Sequence, residues 1–193
     1  MINADGESAD AVAHGRAPGI LARISAAVAR LEAWMAAAAI LGVFCLLLCN
    51  VISRALGAPL IWTDELAVYL MIVGAFLGAS VGIEKRQHIS VTLMVDTLSE
   101  RTRRLYTLVV DLLLLGFFVV LGLMLWRWFD PLGLMRAESI QAFSLETFNF
   151  LYQEPTTTLG IRKVWFWLIL PVFCITGALH VLARFGRPEE MPS

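Results

Sequence analysis

Charge is what this chain of 193 residues is short of: Asp, Glu, Lys and Arg make up 16% of it, against about 25% in soluble domains. The charges present nearly cancel, to a net −1, so no basic excess points to a nucleic-acid partner. Three cysteines cannot build a disulfide framework, and all three lie in apolar runs. The period-two alternation of a membrane β-barrel is missing from those runs. What the chain has instead is apolar residues, 59% of the total, with a mean hydropathy of +0.74. That balance excludes disorder over most of the length and also excludes an ordinary cytosolic enzyme. It describes an all-α integral membrane protein.

A helix needs roughly 20 mainly apolar residues to cross about 30 Å of hydrocarbon. Four stretches qualify: Trp34–Ser53, Trp62–Ile83, Leu105–Trp126 and Val164–Ala183. The first has no charge, and the second has only Asp64 and Glu65, in its opening turn. The third contains Asp111, and the fourth is uncharged apart from His180. With the N-terminus inside, the inner set of basic residues is Arg16, Arg23, Arg30, Lys85, Arg86, Arg101, Arg103, Arg104, Arg184 and Arg187. The outer set is Arg54, Arg127, Arg136, Arg162 and Lys163. The excess predicts both termini in the cytoplasm, and Trp62, Trp126, Trp128, Trp165 and Trp167 fall at the outer interface in the same frame.

The expected organisation is a tail and juxtamembrane segment over 1–33, a four-span domain over 34–183 with an outer loop at 127–163, and a second tail over 184–193. The first 19 residues are acidic, and no small-residue cleavage site follows the first apolar run, so no cleaved signal peptide is expected. From there Ile20, Ile24, Val28 and Leu31 recur at near-helical spacing, with Arg16, Arg23 and Arg30 seven apart. This pattern fits an amphipathic helix on the lipid surface or a plain extension of the first span. Val91, Met94, Val95 and Leu98 repeat at i, i+3, i+4 and i+7 opposite Ser90, Thr92, Asp96, Thr97 and Ser99, which predicts a second in-plane helix. In the outer loop, Pro131 and Pro155 bracket a rough stripe of Ile140, Phe143, Phe148 and Leu151. That stripe fits an interfacial helix or a docking surface.

Gly74, Gly78 and Gly82, with Ala67, Ala75 and Ala79 nearby, put small residues at four-residue spacing on the second span. Such a stripe lets a second helix approach closely, from within the chain or from another subunit. Asp64 and Glu65 suit a helix start, where the dipole and free N–H groups favour carboxylates. Arg54 is the expected partner of Glu65 on another face. Asp111 lies about 9 Å along a helix from the inner end of its span. A buried acid there marks transport chemistry or an ion pair with a basic residue of the inner loop or of a partner subunit. His14, His88 and His180 do not supply two haem ligands at one membrane depth, since only His180 lies in a span. Cys45 and Cys49, at i and i+4, read as small buried hydrophobes.

Trp62-Thr63-Asp64-Glu65, then Gly78, then Arg86-Gln87-His88-Ile89-Ser90-Val91, in this order and spacing, resemble the small membrane subunit of tripartite ATP-independent periplasmic (TRAP) transporters, the DctQ-like family. Leu159-Gly160-Ile161, Trp165 and Pro171 resemble that family's closing region, and the likeness runs from about Trp34 to Ala183. Thr92 stands where many members have an acid, and Pro131 to Glu154 is longer than the usual connection. The resemblance implies a non-enzymatic scaffold in a bacterial inner membrane, with a periplasmic loop at 127–163. It implies a large DctM-like subunit that carries substrate and sodium, and a DctP-like periplasmic binding protein that delivers an organic acid. No cofactor or metal is expected in this chain. Glu65, Arg54 and Trp62 would fix the outer end of the subunit interface and Arg86, His88 and Asp111 its inner end, while Asp64, Gly74, Gly78 and Gly82 would serve that interface or the fold of the chain itself. On the residues alone, two other classes stay open: a membrane anchor of a respiratory dehydrogenase, and a self-sufficient small homo-oligomeric transporter.

Overall fold

The computed structural model describes residues 19–85 and 99–185. Arg86 and His88, the in-plane helix expected around 91–98, and residues 1–18 and 186–193 of the two tails lie outside the described residues. Four helical stretches are long and apolar enough to cross a membrane. Helix α1 spans Ile20–Ala55, α2 Trp62–Glu84 and α3 Glu100–Phe129. The short helices α4 (Pro131–Arg136) and α5 (Ile140–Thr147) follow in the loop. Helix α6 (Val164–Trp167) leads, after a turn at Leu168, into α7 (Ile169–Phe185). Among the described residues, β structure amounts to one isolated antiparallel bridge, Pro155 with Arg162.

Local chemistry sets the boundaries. At the end of α1, Gly57 takes a positive φ of 73°, a conformation that suits a residue without a side chain. Its N–H reaches the Arg54 carbonyl and that of Ala58 reaches the Ser53 carbonyl, which closes the helix in a Schellman motif. Ser99 starts α3 by accepting from the Thr102 N–H. Asp130 both ends α3, in a left-handed conformation, and opens α4 by accepting from the Gly133 N–H at 3.0 Å. Pro131 fits directly behind it, because a first-turn residue has no helical use for its missing N–H. Ser139 caps α5 in the same way through the Ala142 N–H. Pro171 falls in the first turn of α7, where it leaves the helix unbroken.

Helix α1 runs unbroken for 36 residues, about 54 Å, so the expected juxtamembrane helix is an extension of the first span. Its faces are also reversed from a soluble amphipathic helix. Ile20, Ile24 and Leu31 are exposed, while Ala22, Ser25, Ala29, Glu32, Ala36 and Ala39 are buried. The buried set repeats at alternating spacings of three and four residues, the period of a coiled-coil seam. Lipid tails are as apolar as leucine, so membrane helices sort by close packing and polar contacts and not by hydrophobicity.

Helices α1 and α2 form a closely packed hairpin, and α7 packs on α1, α2 and α3. Near the middle, Ala36, Leu77 and Ile169 gather Ile72, Val73, Phe76 and Leu170 around them. Further along, Ile83, Phe118 and Val181 pack with Leu114, Leu121, Phe173 and Ala178. Gly177 lies directly under the Phe118 ring, where a Cβ would collide with it. The glycine is what lets α3 come so close to α7.

Candidate functional site

The site expected from the sequence divides into two polar clusters and a stripe of small residues. At the hairpin end, Asn50 and Arg54 from the last turns of α1 meet Asp64 from the first turn of α2. Arg54 donates through Nη2 to Asp64 Oδ2 at 2.9 Å and through Nε to Asn50 Oδ1 at 2.9 Å. Asn50 Nδ2 donates to the other Asp64 oxygen. Arg54 therefore pairs with Asp64 and not with Glu65. Asp64 makes its contacts across the hairpin instead of capping its own helix, which has no side-chain cap.

Glu65 points elsewhere, into the turn before α6. Its Oε1 accepts from the Thr157 N–H at 2.7 Å. Its Oε2 accepts from the Thr158 N–H at 2.6 Å, the Thr158 hydroxyl at 2.6 Å and the Leu159 N–H at 3.3 Å. Three consecutive amides converging on one carboxylate form an anion nest, closed beneath by Thr156 and Ile161. Tyr69, one turn further along α2, stacks on Phe166 with ring centroids 4.0 Å apart. Together these contacts fasten the long loop onto α2. The Glu154 carboxylate, 2.6 Å from Lys163 Nζ, raises that ammonium above its ordinary pKa range. Trp62 opens α2 and is exposed. The expected loop stripe is split: Phe143 and Leu151 are buried, while Phe148 is exposed in a left-handed conformation.

Toward the opposite end, Asp111 is buried and has a partner within the chain. Arg184 Nη1 donates to Asp111 Oδ1 at 2.5 Å, both side chains being 6% exposed. Arg184 Nη2 donates to the Ile83 carbonyl, so one guanidinium ties α7 to α3 and α2. The basic partner that Asp111 meets within the chain is thus Arg184 of the last span, not a residue of the inner loop. A second contact had no counterpart in the sequence reading. His180, fully buried, lies between Ser25 Oγ, 2.8 Å from Nδ1, and Glu32 Oε2, 3.0 Å from Nε2. The signal that would have found Glu32 is the small-residue repeat of α1, in which it occupies a seam position. Ser80 and Thr176 exchange a hydroxyl hydrogen bond at 3.0 Å nearby.

The glycine stripe faces two ways. A Cβ on Gly74 would meet the Ala39 Cβ at 3.4 Å, whereas Gly78 and Gly82 have nothing within 4 Å. Gly78, Ala75 and Ala79 are exposed and Ala67 is buried. Cys45 and Cys49, expected as buried, are both exposed on the perimeter of α1. Among the described residues, no cluster of His, Cys, Asp and Glu has the makings of a metal site.

This fold and these contacts define a small polytopic helical membrane protein whose buried charged groups meet partners inside the chain. The family model for the DctQ component of tripartite ATP-independent periplasmic transporters matches residues 43–189, and the chain belongs to that family. The family is a transporter component and not an enzyme. The chain is similar to a sialic acid TRAP transporter permease protein of Haemophilus influenzae, 27% identical over 147 residues, which are 76% of this chain and 21% of that protein. It is also similar to an ectoine TRAP transporter small permease protein of Halomonas elongata, 33% identical over 109 residues, or 56% of each chain. The matches thus span about a fifth and about half of these relatives.

Proposed function

We propose that this chain is the small permease subunit of a TRAP-type secondary transporter in a bacterial inner membrane. Both termini face the cytoplasm, in line with ten basic residues on that side against five on the other. A large multi-span subunit carries substrate and sodium, and a periplasmic binding protein delivers an organic acid to it. The small subunit braces the large one against the bilayer and does not itself hold the cargo.

The observation that carries this reading is the outward half of the α2 stripe. Small residues line the seam between α1 and α2, where backbones approach closely, and Ala75, Gly78 and Ala79 place the same kind of surface on the outside. Lipid gains nothing from a smooth helix face, whereas a second protein helix gains dispersion contacts along it. The buried ionisable groups add to this: Asp111 and Glu32 are spent on Arg184 and His180, which fits a scaffold better than a translocation path. Gly78→Leu tests the reading. The variant is expected to fold as the parent does but to lose co-purification with the large subunit and to lose uptake. Full co-purification with normal uptake would refute the docking face.

A further inference from the structure

The contact between α1 and α7 is built in a way that bracing does not require. His180 is 0% exposed, and each ring nitrogen has one partner, Ser25 Oγ on one side and Glu32 Oε2 on the other. The two partners differ chemically. An ionised carboxylate only accepts, so it holds an N–H on Nε2. A hydroxyl either donates or accepts. Ser25 can donate to a bare Nδ1 or, by rotating about its Cβ–Oγ bond, accept from an Nδ1–H. The imidazole and the imidazolium therefore both find complete hydrogen bonding without movement of any heavy atom.

The surroundings extend this arrangement. Glu32 Oε1 is buried in the packed interior. The Ser80 and Thr176 hydroxyls, bonded to each other with either as donor, face the Glu32 carboxylate from α2 and α7. Among the described residues, the buried Asp, Glu, Lys and Arg side chains are Glu32 on α1, Asp111 on α3 and Arg184, one turn beyond His180 on α7. Asp111 and Arg184 are ion-paired with each other, and Glu84, one turn beyond Ser80 on α2, has a contact of its own. Glu32 is the charged group whose contact with the His180 ring is seen, through Nε2 at 3.0 Å.

We infer that Ser25, His180 and Glu32 form a proton-binding site inside the bundle, which takes up and releases one proton on the His180 Nδ1 while the fold stays closed. On binding, the proton adds to the Nδ1 lone pair, and the Ser25 hydroxyl turns from donor to acceptor. On release, Nδ1 regains its lone pair and the hydroxyl turns back. The Glu32 carboxylate holds the Nε2–H throughout.

The test uses the full chain, with any subunit that co-purifies, in lipid nanodiscs with nitrogen-15-labelled histidine. A His180→Gln sample assigns the His180 signals. Between about pH 5 and pH 8, the range over which histidine changes charge, the His180 ring signals are expected to move between imidazole and imidazolium positions while the thermal unfolding transition persists. Ser25→Ala, which removes the reversible hydroxyl, is expected to move the midpoint by about one pH unit or more. Glu32→Gln, which removes the charge but keeps the shape, is expected to do the same. His180 signals that stay fixed across the range would overturn the inference. So would a titration that coincides with unfolding, or one that both variants leave unmoved.

Discussion

Inside the bundle the α1–α2 seam places Ala36, Ala39, Gly42 and Gly74 against one another and against Leu70 and Leu77, whereas the perimeter of the same two helices carries Ile40, Leu41, Phe44, Val51 and Met71. The buried charges are inside as well, each beside a partner: Asp111 with Arg184, and Glu32 with His180. A soluble helical bundle sorts its residues the other way round. Here lipid takes the place of water, so large apolar side chains gain little by turning inward. Close backbone approach and satisfied polar groups decide the arrangement instead. Small residues and paired charges therefore mark helix–helix contact here, and the proposed docking on the exposed Ala75, Gly78 and Ala79 face extends that rule to the perimeter.

Substitutions can be ordered along the same contrast. Asp111→Ala leaves the Arg184 guanidinium buried without its counter-ion, which should destabilise the chain by about 3–5 kcal/mol. The measure is reversible unfolding in mixed detergent, and an unchanged midpoint would remove the pair from the account. Gly177→Leu forces a branched side chain into the space of the Phe118 ring, with an expected cost of about 1–3 kcal/mol from overpacking. The same assay, read as a lower thermal midpoint, checks it. Arg54→Ala acts on a pair whose side chains are 60% and 49% exposed. Its effect should stay within about 1 kcal/mol and shrink further in high salt. Leu113→Ala, at a perimeter position 69% exposed, should leave stability unaltered to within about 0.5 kcal/mol. A large loss there would mean that the perimeter is sorted as in a water-soluble protein.

Four long apolar runs with few charges made the spans legible, and the ordered Trp62–Glu65, Gly78 and Leu159–Ile161 motifs made the family legible. Pairings were harder, for reasons of geometry. Adjacent residues on a helix point about 100° apart, so assigning Arg54 to Asp64 or to Glu65 required knowing how α1 and α2 cross. A four-residue repeat advances about 40° per step. From Gly74 to Gly82 the stripe therefore turns away from α1, and only its first member stays in the seam. Glu32 and His180 are 148 residues apart, and no local pattern links them. The large apolar residues of α1 drew attention to the wrong face, because in lipid the informative stripe is the one of small residues.

The most direct test of that principle is an affinity pull-down of the tagged chain from its native membrane in mild detergent, run beside Gly78→Leu, with mass spectrometry of the retained proteins. The parent chain is expected to bring down a much larger polytopic protein in stoichiometric amount, and the variant, equally folded, is expected not to. Recovery of nothing but copies of the chain itself, or of the same large protein with both samples, would contradict it.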